Sequence, residues 1–242
     1  MKNKLVKIFF YLLIITNFFL KNLHSEEFEF TATELQVLNE GTLLIGKDDV
    51  KIISDNQIIK AKKFKYNKNN LHLELIGSIE IINDLDNTII NAEKIDYFIK
   101  EEKIITDGDV VIKIKDKYII DSSDLTYLLI KKHFFSKKKT TLKDNEGNEF
   151  ELKDFNYFRL ENKVRGKKLV FKDTEKNKYF IEDAFINLEN NEILGKDIKI
   201  NFLDSTFGNT SNEPRLKGNK IYHTKNLTTI SKGVFTTCKK TN

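Results

Sequence analysis

The sequence predicts an all-β fold of stacked antiparallel strands, and three observations support this prediction. Gly46, Gly77 and Gly108 are spaced 31 residues apart, which indicates an internal repeat. From Leu71 to Ile81, apolar and polar side chains alternate with a period of two, as in a strand with one buried face. Short turns rich in Asn, Asp and Lys separate these segments, and short turns join antiparallel neighbours.

The repeat also predicts an irregularity inside the strands. A glycine on the apolar face of a long strand indicates a bulge, a bend or a close backbone approach. In the strand after Gly77 the apolar positions are Ile90, Ala92, Ile95 and Tyr97, so the step between them is two, then three, then two. A step of three reverses the facing unless the sheet absorbs an extra residue, which predicts a recurring bulge. Strands of this length favour a curved sheet pair or an open jelly roll over an immunoglobulin-like sandwich.

The N-terminal segment has the layout of a secretory signal peptide. Three lysines precede the apolar run Ile8 to Leu20, and a small-residue cleavage site follows at Ser25 and Glu26. The run is shorter than the roughly 20 residues that a spanning helix needs, although an uncleaved anchor is the alternative. We therefore expect a signal peptide over 1–25, one β domain over 26–236, a short tail over 237–242, and a location outside the cytoplasm.

The charge argues against a nucleic-acid partner. The chain carries 41 basic and 36 acidic residues, a net charge of +5. Residues 1–25 hold four lysines and no acid, so 37 bases face 36 acids in the remainder, a net charge of +1. One local basic cluster stands out, and it is either a solvated hairpin end or a site for anionic head groups. Its members are Lys131, Lys132, Lys137, Lys138 and Lys139.

The sequence shows no catalytic or metal-binding motif. His72, His133 and His223 are far apart and lack a second ligand at metal spacing, so they are expected to pack or to face solvent. No serine nucleophile elbow, glycine-rich phosphate loop or catalytic carboxylate pair is present. The single cysteine, Cys238, excludes a disulfide within the chain. The sequence thus predicts a protein that is not an enzyme and uses no cofactor.

The repeat resembles a known family. Glycine, alternating Val and Ile, then Ile-x-Ala with an aromatic five residues after that Ala resembles the OstA-like domain of the lipopolysaccharide-transport proteins LptA, LptC and LptD. The segments 213–219 and 230–238 are similar to the end of the periplasmic domain in LptD-type members. Those members continue into an outer-membrane β-barrel that these 242 residues do not include, so the chain is expected to be a fragment or a free-standing domain.

The resemblance implies a fold, a function and partners. The fold is an open β-jelly roll whose apolar groove receives lipopolysaccharide acyl chains and passes them toward the outer membrane without catalysis. The partners are lipopolysaccharide, an LptA-like bridge protein that adds a strand to the edge Phe28 to Leu38, and an LptE-like outer-membrane lipoprotein where a barrel is present. The location is the periplasm or the outer membrane. Cys238 would form a disulfide with a cysteine in the barrel region.

The candidates for the groove lining are the residues of the repeated apolar face, and the alternative is that they fill a packed core. They are Val50, Ile52, Leu73, Leu75, Ile79, Ile81, Val110, Ile112 and Ile114. The sequence leaves two other functions open: a stand-alone soluble LptA-like carrier, and an extracellular structural or adhesive β-repeat protein with a packed core.

Overall fold

The computed structural model describes residues 28–54, 56–114, 117–173, 175–207 and 212–238. The predicted signal peptide and its cleavage site at Ser25 and Glu26 lie outside these residues. The described chain is all-β, as predicted, with four short 3-10 turns. Its strands are β1 (Glu29–Thr31), β2 (Glu34–Leu38), β3 (Leu43–Ser54), β4 (Gln57–Asn67), β5 (His72–Asn83), β6 (Thr88–Phe98), β7 (Lys103–Thr106), β8 (Asp109–Ile114), β9 (Tyr118–Ser123), β10 (Thr126–Leu128), β11 (His133–Ser136), β12 (Thr140–Asp144), β13 (Glu149–Phe158), β14 (Lys163–Lys172), β15 (Lys178–Asn187), β16 (Glu192–Asn201), β17 (Arg215–His223), β18 (Thr228–Ser231) and β19 (Val234–Thr236).

The strands form one continuous antiparallel ribbon in chain order. β3 pairs with β4, β4 with β5 and β5 with β6, and β13 to β17 continue in the same way. Several long strands are interrupted at the middle, so that β1 and β2 both pair with β3, β7 and β8 both pair with β6, and β18 and β19 both pair with β17. This meander follows from the short turns predicted above.

The ribbon has two long sides, which we name arm A and arm B. Arm A comprises the strand halves next to the β2–β3, β4–β5, β6–β7, β10–β11, β13–β14, β15–β16 and β17–β18 connections. Arm B comprises the halves next to the β3–β4, β5–β6, β8–β9, β12–β13, β14–β15 and β16–β17 connections. Each long strand therefore belongs to both arms and changes arm near its middle.

The turns of arm A are stacked on one another by a regular ladder of backbone hydrogen bonds. In four of them the last residue has a left-handed backbone, with φ of 51° at Leu71, 45° at Glu102, 47° at Lys132 and 51° at Asn162. The carbonyl of that residue accepts the amide of the first residue of the next turn. These bonds are Ile99 N to Leu71 O (3.0 Å), Leu129 N to Glu102 O (2.9 Å), Arg159 N to Lys132 O (3.1 Å) and Leu188 N to Asn162 O (2.8 Å).

A row of irregularities runs along the middle of the ribbon, where each strand passes from one arm to the other. Between β5 and β6 the register skips from the pair Ile76–Lys94 to the pair Ile79–Ala92, which leaves two residues of β5 opposite Glu93. Gly77 has φ of +83° there, and the amide of the next residue donates to the Glu93 carboxylate at 3.2 Å. The predicted bulge is confirmed at this place, although the extra residue belongs to β5 instead of β6. Left-handed residues recur along the row at Asp49, Gly108, Asp124, Asp154, Lys168, Asp197 and Lys232.

The two arms face each other and bury a common core. β5 has 12 residues, so a straight strand would hold its ends about 40 Å apart. The two long sides of the ribbon nevertheless touch. Tyr118 of arm B donates from its hydroxyl to the Leu188 carbonyl of arm A at 3.3 Å, and its ring packs edge-on against Tyr157. The ribbon is therefore folded over lengthwise, and the apolar faces of its two arms pack against each other.

None of the described residues forms a helix long and apolar enough to cross a membrane.

Replacing Gly46 with alanine should destabilise the fold. A Cβ at this position would overlap the Phe64 ring, which is 2% exposed and has little room to move. Overpacking of this kind costs about 1–3 kcal/mol, measured as the free energy of unfolding in urea. Gly233→Ala is the matched control, because a Cβ there meets its nearest atom at 3.5 Å, an ordinary contact. Equal stability of the two variants would contradict the close approach of β3 and β4.

Candidate functional site

The nine residues predicted to line a groove lie in the interior between the arms. Each is 3% exposed or less, and all belong to one apolar core. They pack against other side chains of the core. Their contact with a lipid therefore stays a prediction.

An open cavity of about 700 Å³ lies between the arms at the C-terminal end of the ribbon. Arm B contributes Phe171, Tyr179 and Phe202 to its wall, and arm A contributes His223 and Ile230. The cavity is continuous with the core, because the buried side chains of Ile193 and Ile200 form part of its wall. Polar groups from the connecting turns stand around its rim, namely Glu146, Asp173, Glu175 and Lys225.

Aromatic rings and one turn hold the cavity wall in place. Phe171 and Tyr179 stack with ring centroids 4.5 Å apart, and the His223 ring lies 5.4 Å and 5.2 Å from them. The Tyr179 hydroxyl donates to the Asp173 carboxylate at 3.0 Å, and the Asn177 amide donates to the same oxygen at 2.9 Å. Burial, reinforced by the Asp173 charge, raises the pKa of Tyr179 to about 12. The phenol is thus a neutral donor in the cavity wall, beside the polar groups of the rim.

A polar cluster joins the arms at the centre of the ribbon, and we name Asp86, Thr88, Tyr127, Lys132 and Arg159 the inter-arm cluster. Lys132 places its ammonium 2.6 Å from both carboxylate oxygens of Asp86, and the Tyr127 hydroxyl donates to Asp86 Oδ2 at 2.9 Å. Arg159 donates to the Thr88 hydroxyl at 2.9 Å and to the Asp86 carbonyl. Asp86 and Thr88 belong to arm B and the other three to arm A. Burial and the Asp86 charge raise the pKa of the Tyr127 phenol far above its ordinary value.

The predicted basic cluster is divided in the structure. Lys132 lies at the end of arm A, whereas Lys137, Lys138 and Lys139 follow β11 in the middle of the ribbon. Lys138 pairs with Asp124 at 3.3 Å, and Lys139 pairs with Glu151 at 2.8 Å. Lys132 is thus the member of the cluster that reaches the mouth, the name we give to the junction of the two arms at the inter-arm cluster.

The other sequence candidates lie apart from one another. His72 contacts Asp96 at 2.8 Å and stacks on Phe98, and His133 stacks on Phe158 in the same way. Across the described ranges no group of three or more His, Cys, Asp or Glu side chains is arranged to hold a metal ion. Cys238 is exposed with a free thiol, and its carbonyl accepts a hydrogen bond from Arg215 at 2.7 Å.

Sequence reasoning missed the cavity residues Phe171, Tyr179, Phe202 and His223 and the contacts of Asp86. Phe171 and Tyr179 do follow the alternation of β14 and β15, so their inward facing could have been found. The turn that contains Asp86 could have been recognised from the sequence. Asn83 stands three residues before Asp86, and its side chain accepts the Asp86 backbone amide.

A scan against protein families and a search of curated proteins find no match to this chain. Among solved structures, the chain is similar to LptH from Pseudomonas aeruginosa, described as the LptA-homologous periplasmic component of the conserved lipopolysaccharide transport device. The likeness covers 43% of this chain and 76% of LptH, with 12% identity and a TM-score of 0.39.

The stability of the protein should fall as the pH drops below about 6.5, and His223 should contribute to this loss. Burial lowers the pKa of His223 below its ordinary 6.5, and burial lowers the pKa of His133 as well. Between the folded and unfolded pKa the unfolded chain binds more protons, so stability is full above 6.5 and decreases on acidification. His223→Phe should flatten the dependence of the unfolding midpoint on pH, and the double variant with His133→Phe should flatten it further. A slope unchanged in both variants would contradict the burial of these rings.

Proposed function

We propose that this chain is an exported, non-catalytic lipid carrier that holds the acyl chains of lipopolysaccharide between its two arms and passes them toward the outer membrane. One observation carries the proposal: the cavity between the arms is open to solvent at the C-terminal end and continues into an apolar interior. The sequence resemblance to the OstA-like domain supports lipopolysaccharide as the ligand and the periplasm or the outer membrane as the location.

The chemistry of the cavity suits an amphiphile. Aliphatic and aromatic side chains such as Ile200, Phe202 and Ile230 line its depth, while carboxylates and a lysine stand at its rim. Burial of an acyl chain is worth roughly 0.8 kcal/mol per methylene, so about ten methylenes would contribute on the order of 8 kcal/mol as an upper value. The aliphatic and aromatic part of the lining holds such a chain while allowing it to slide. The sugars and phosphates would stay in water.

We also propose that β1 and β2 accept a strand from an LptA-like bridge protein. The two strands pair only with β3 among the described strands, so their other side is an open edge. Phe30 points inward and stacks on Phe64 and Tyr66 at 5.1 Å and 5.0 Å, which anchors β1 to the core. On β2, Leu35 and Val37 are 47% and 59% exposed. An edge with exposed apolar side chains is suited to strand addition.

The C-terminal segment is compatible with both forms of the carrier. β19 pairs with β17 at the opposite edge, and Cys238 follows it with an exposed thiol. In an LptD-type protein this thiol would be available for a disulfide with the barrel region, and an LptE-like lipoprotein would join the barrel. In a stand-alone LptA-like carrier the same edge would face the next domain of the bridge.

Photo-crosslinking tests the groove. A photoreactive phenylalanine analogue at Phe202, in the cavity wall, should form an adduct with lipopolysaccharide. Phe180 is the matched control, because its ring lies outside the cavity, between the ammonium groups of Lys178 at 5.1 Å and Lys199 at 5.4 Å. The same analogue at Ile112 tests whether the packed interior joins the groove. No adduct at Phe202, or equal adducts at Phe202 and Phe180, would reject the carrier in favour of a β-repeat protein with a packed core.

Charged substitutions on β2 test the edge. The double variant Leu35→Asp and Val37→Asp should weaken association with a purified LptA-like bridge protein at least tenfold, because charges on an edge strand oppose pairing. Leu85→Asp is the control, since this side chain is 71% exposed on a turn of arm B. Sedimentation of the mixtures gives the dissociation constants. Association that is equally strong in all three proteins would show that β2 is not the receiving edge.

A further inference from the structure

Two cations of the inter-arm cluster are placed side by side by the backbone. Lys132 ends one turn of arm A and Arg159 begins the next, and the Arg159 amide donates to the Lys132 carbonyl at 3.1 Å. This bond belongs to the regular ladder of turns, so the fold fixes the backbone positions from which the two side chains extend. Both extend from arm A across the mouth toward the β5–β6 turn of arm B.

Arm B supplies the anion that meets them. The Asp86 amide is held by the Asn83 side chain at 2.8 Å, and the Thr88 hydroxyl donates to the Asp86 carbonyl at 3.0 Å. The Asp86 residue is 7% exposed, and its carboxylate accepts from Lys132 and Tyr127. These contacts join arm B directly to arm A. They must separate before the arms can part at this point.

The charges of the cluster do not balance. Lys132 and Arg159 together carry two positive charges and Asp86 carries one negative charge. Arg159 donates to a hydroxyl and a carbonyl, both neutral oxygens. The Lys132 side chain is 31% exposed, so a group in solvent can reach it. A phosphate carries up to two negative charges and three acceptor oxygens, and it would satisfy both cations better than one carboxylate does.

We propose that Lys132 and Arg159 form an anion site at the mouth, which Asp86 occupies in the closed protein and which the phosphate of an amphiphilic ligand takes over on binding. Displacement of Asp86 releases arm B and extends the open C-terminal cavity into the interior, and the acyl chains enter behind the phosphate. Without a ligand, separation would leave charges uncompensated, so the mouth stays closed. This inference rests on the proposed carrier function and adds to it the ligand's phosphate and the step that admits the ligand.

The ratio of two affinities tests the site. The probes are dodecyl phosphate and dodecyl maltoside below their micellar concentrations, which share a chain and differ in charge. Asp86→Asn should raise the affinity for dodecyl phosphate relative to dodecyl maltoside about tenfold, and Lys132→Gln should lower this ratio about tenfold, as expected for one charge-assisted hydrogen bond. Glu80→Gln is the control, since it removes an acid that pairs with Lys60 at 2.8 Å between neighbouring strands. A ratio unchanged in the first two variants would overturn the anion site.

A reversible lock tests the opening independently of the charges. In a Cys238→Ser background, Asp86→Cys and Lys132→Cys are joined by a short linker that reducing agent cleaves. The locked protein should lose at least nine-tenths of its lipopolysaccharide binding, and reduction should restore it. The control joins Lys60→Cys to Glu80→Cys, within the β4–β5 pair. Equal binding by the locked and reduced forms would overturn the opening step, whereas failure of the unsubstituted protein to bind lipopolysaccharide would overturn the carrier function itself.

Discussion

The structure depends on one constraint: each long strand must present apolar side chains to the interior from both of its halves while its backbone bends in the middle. In β6 the buried residues Ile90 and Ala92 are followed after a step of three by Ile95 and Tyr97. In β5 the bend is absorbed by Gly77 and the residue after it. Because the same adjustment recurs along the ribbon, the whole meander folds over lengthwise into two arms.

The remaining features follow from this fold-over. The inner faces of the arms bury one continuous core, and the turns of arm A come to lie opposite the turns of arm B. The arms meet through Asp86 and Lys132 at the centre, through Tyr118 and Leu188 farther along, and through the Phe171 and His223 rings at the C-terminal end. Where the contact is made by rings around an open space, a cavity remains. A space of this kind, apolar in its depth and polar at its rim, is suited to the acyl chains of an amphiphile.

The sequence predicted the local features well, because facing and turns depend on near neighbours. The alternation from Leu71 to Ile81, the irregularity between Ala92 and Ile95, and the polar turns are all present. The cavity could not be predicted, because Phe171 and His223 lie on different arms and meet only where the ribbon folds over. The groove candidates were chosen for their regular alternation, and all nine are buried in the core. Asp86 and Arg159 are likewise distant in sequence, and no local pattern relates them.

The distance between arm A and arm B is the most direct test of a ribbon that is folded over and opens for lipid. Leu85 of arm B and Leu160 of arm A are 71% and 76% exposed, and each adjoins a member of the inter-arm cluster, so spin labels can replace both without disturbing the core. Pulsed electron resonance should give a distance well below the about 40 Å of a straight strand in the free protein, and lipopolysaccharide should lengthen it. A distance near 40 Å in the free protein, or one that lipopolysaccharide leaves unchanged, would contradict a folded-over ribbon that opens to take up lipid.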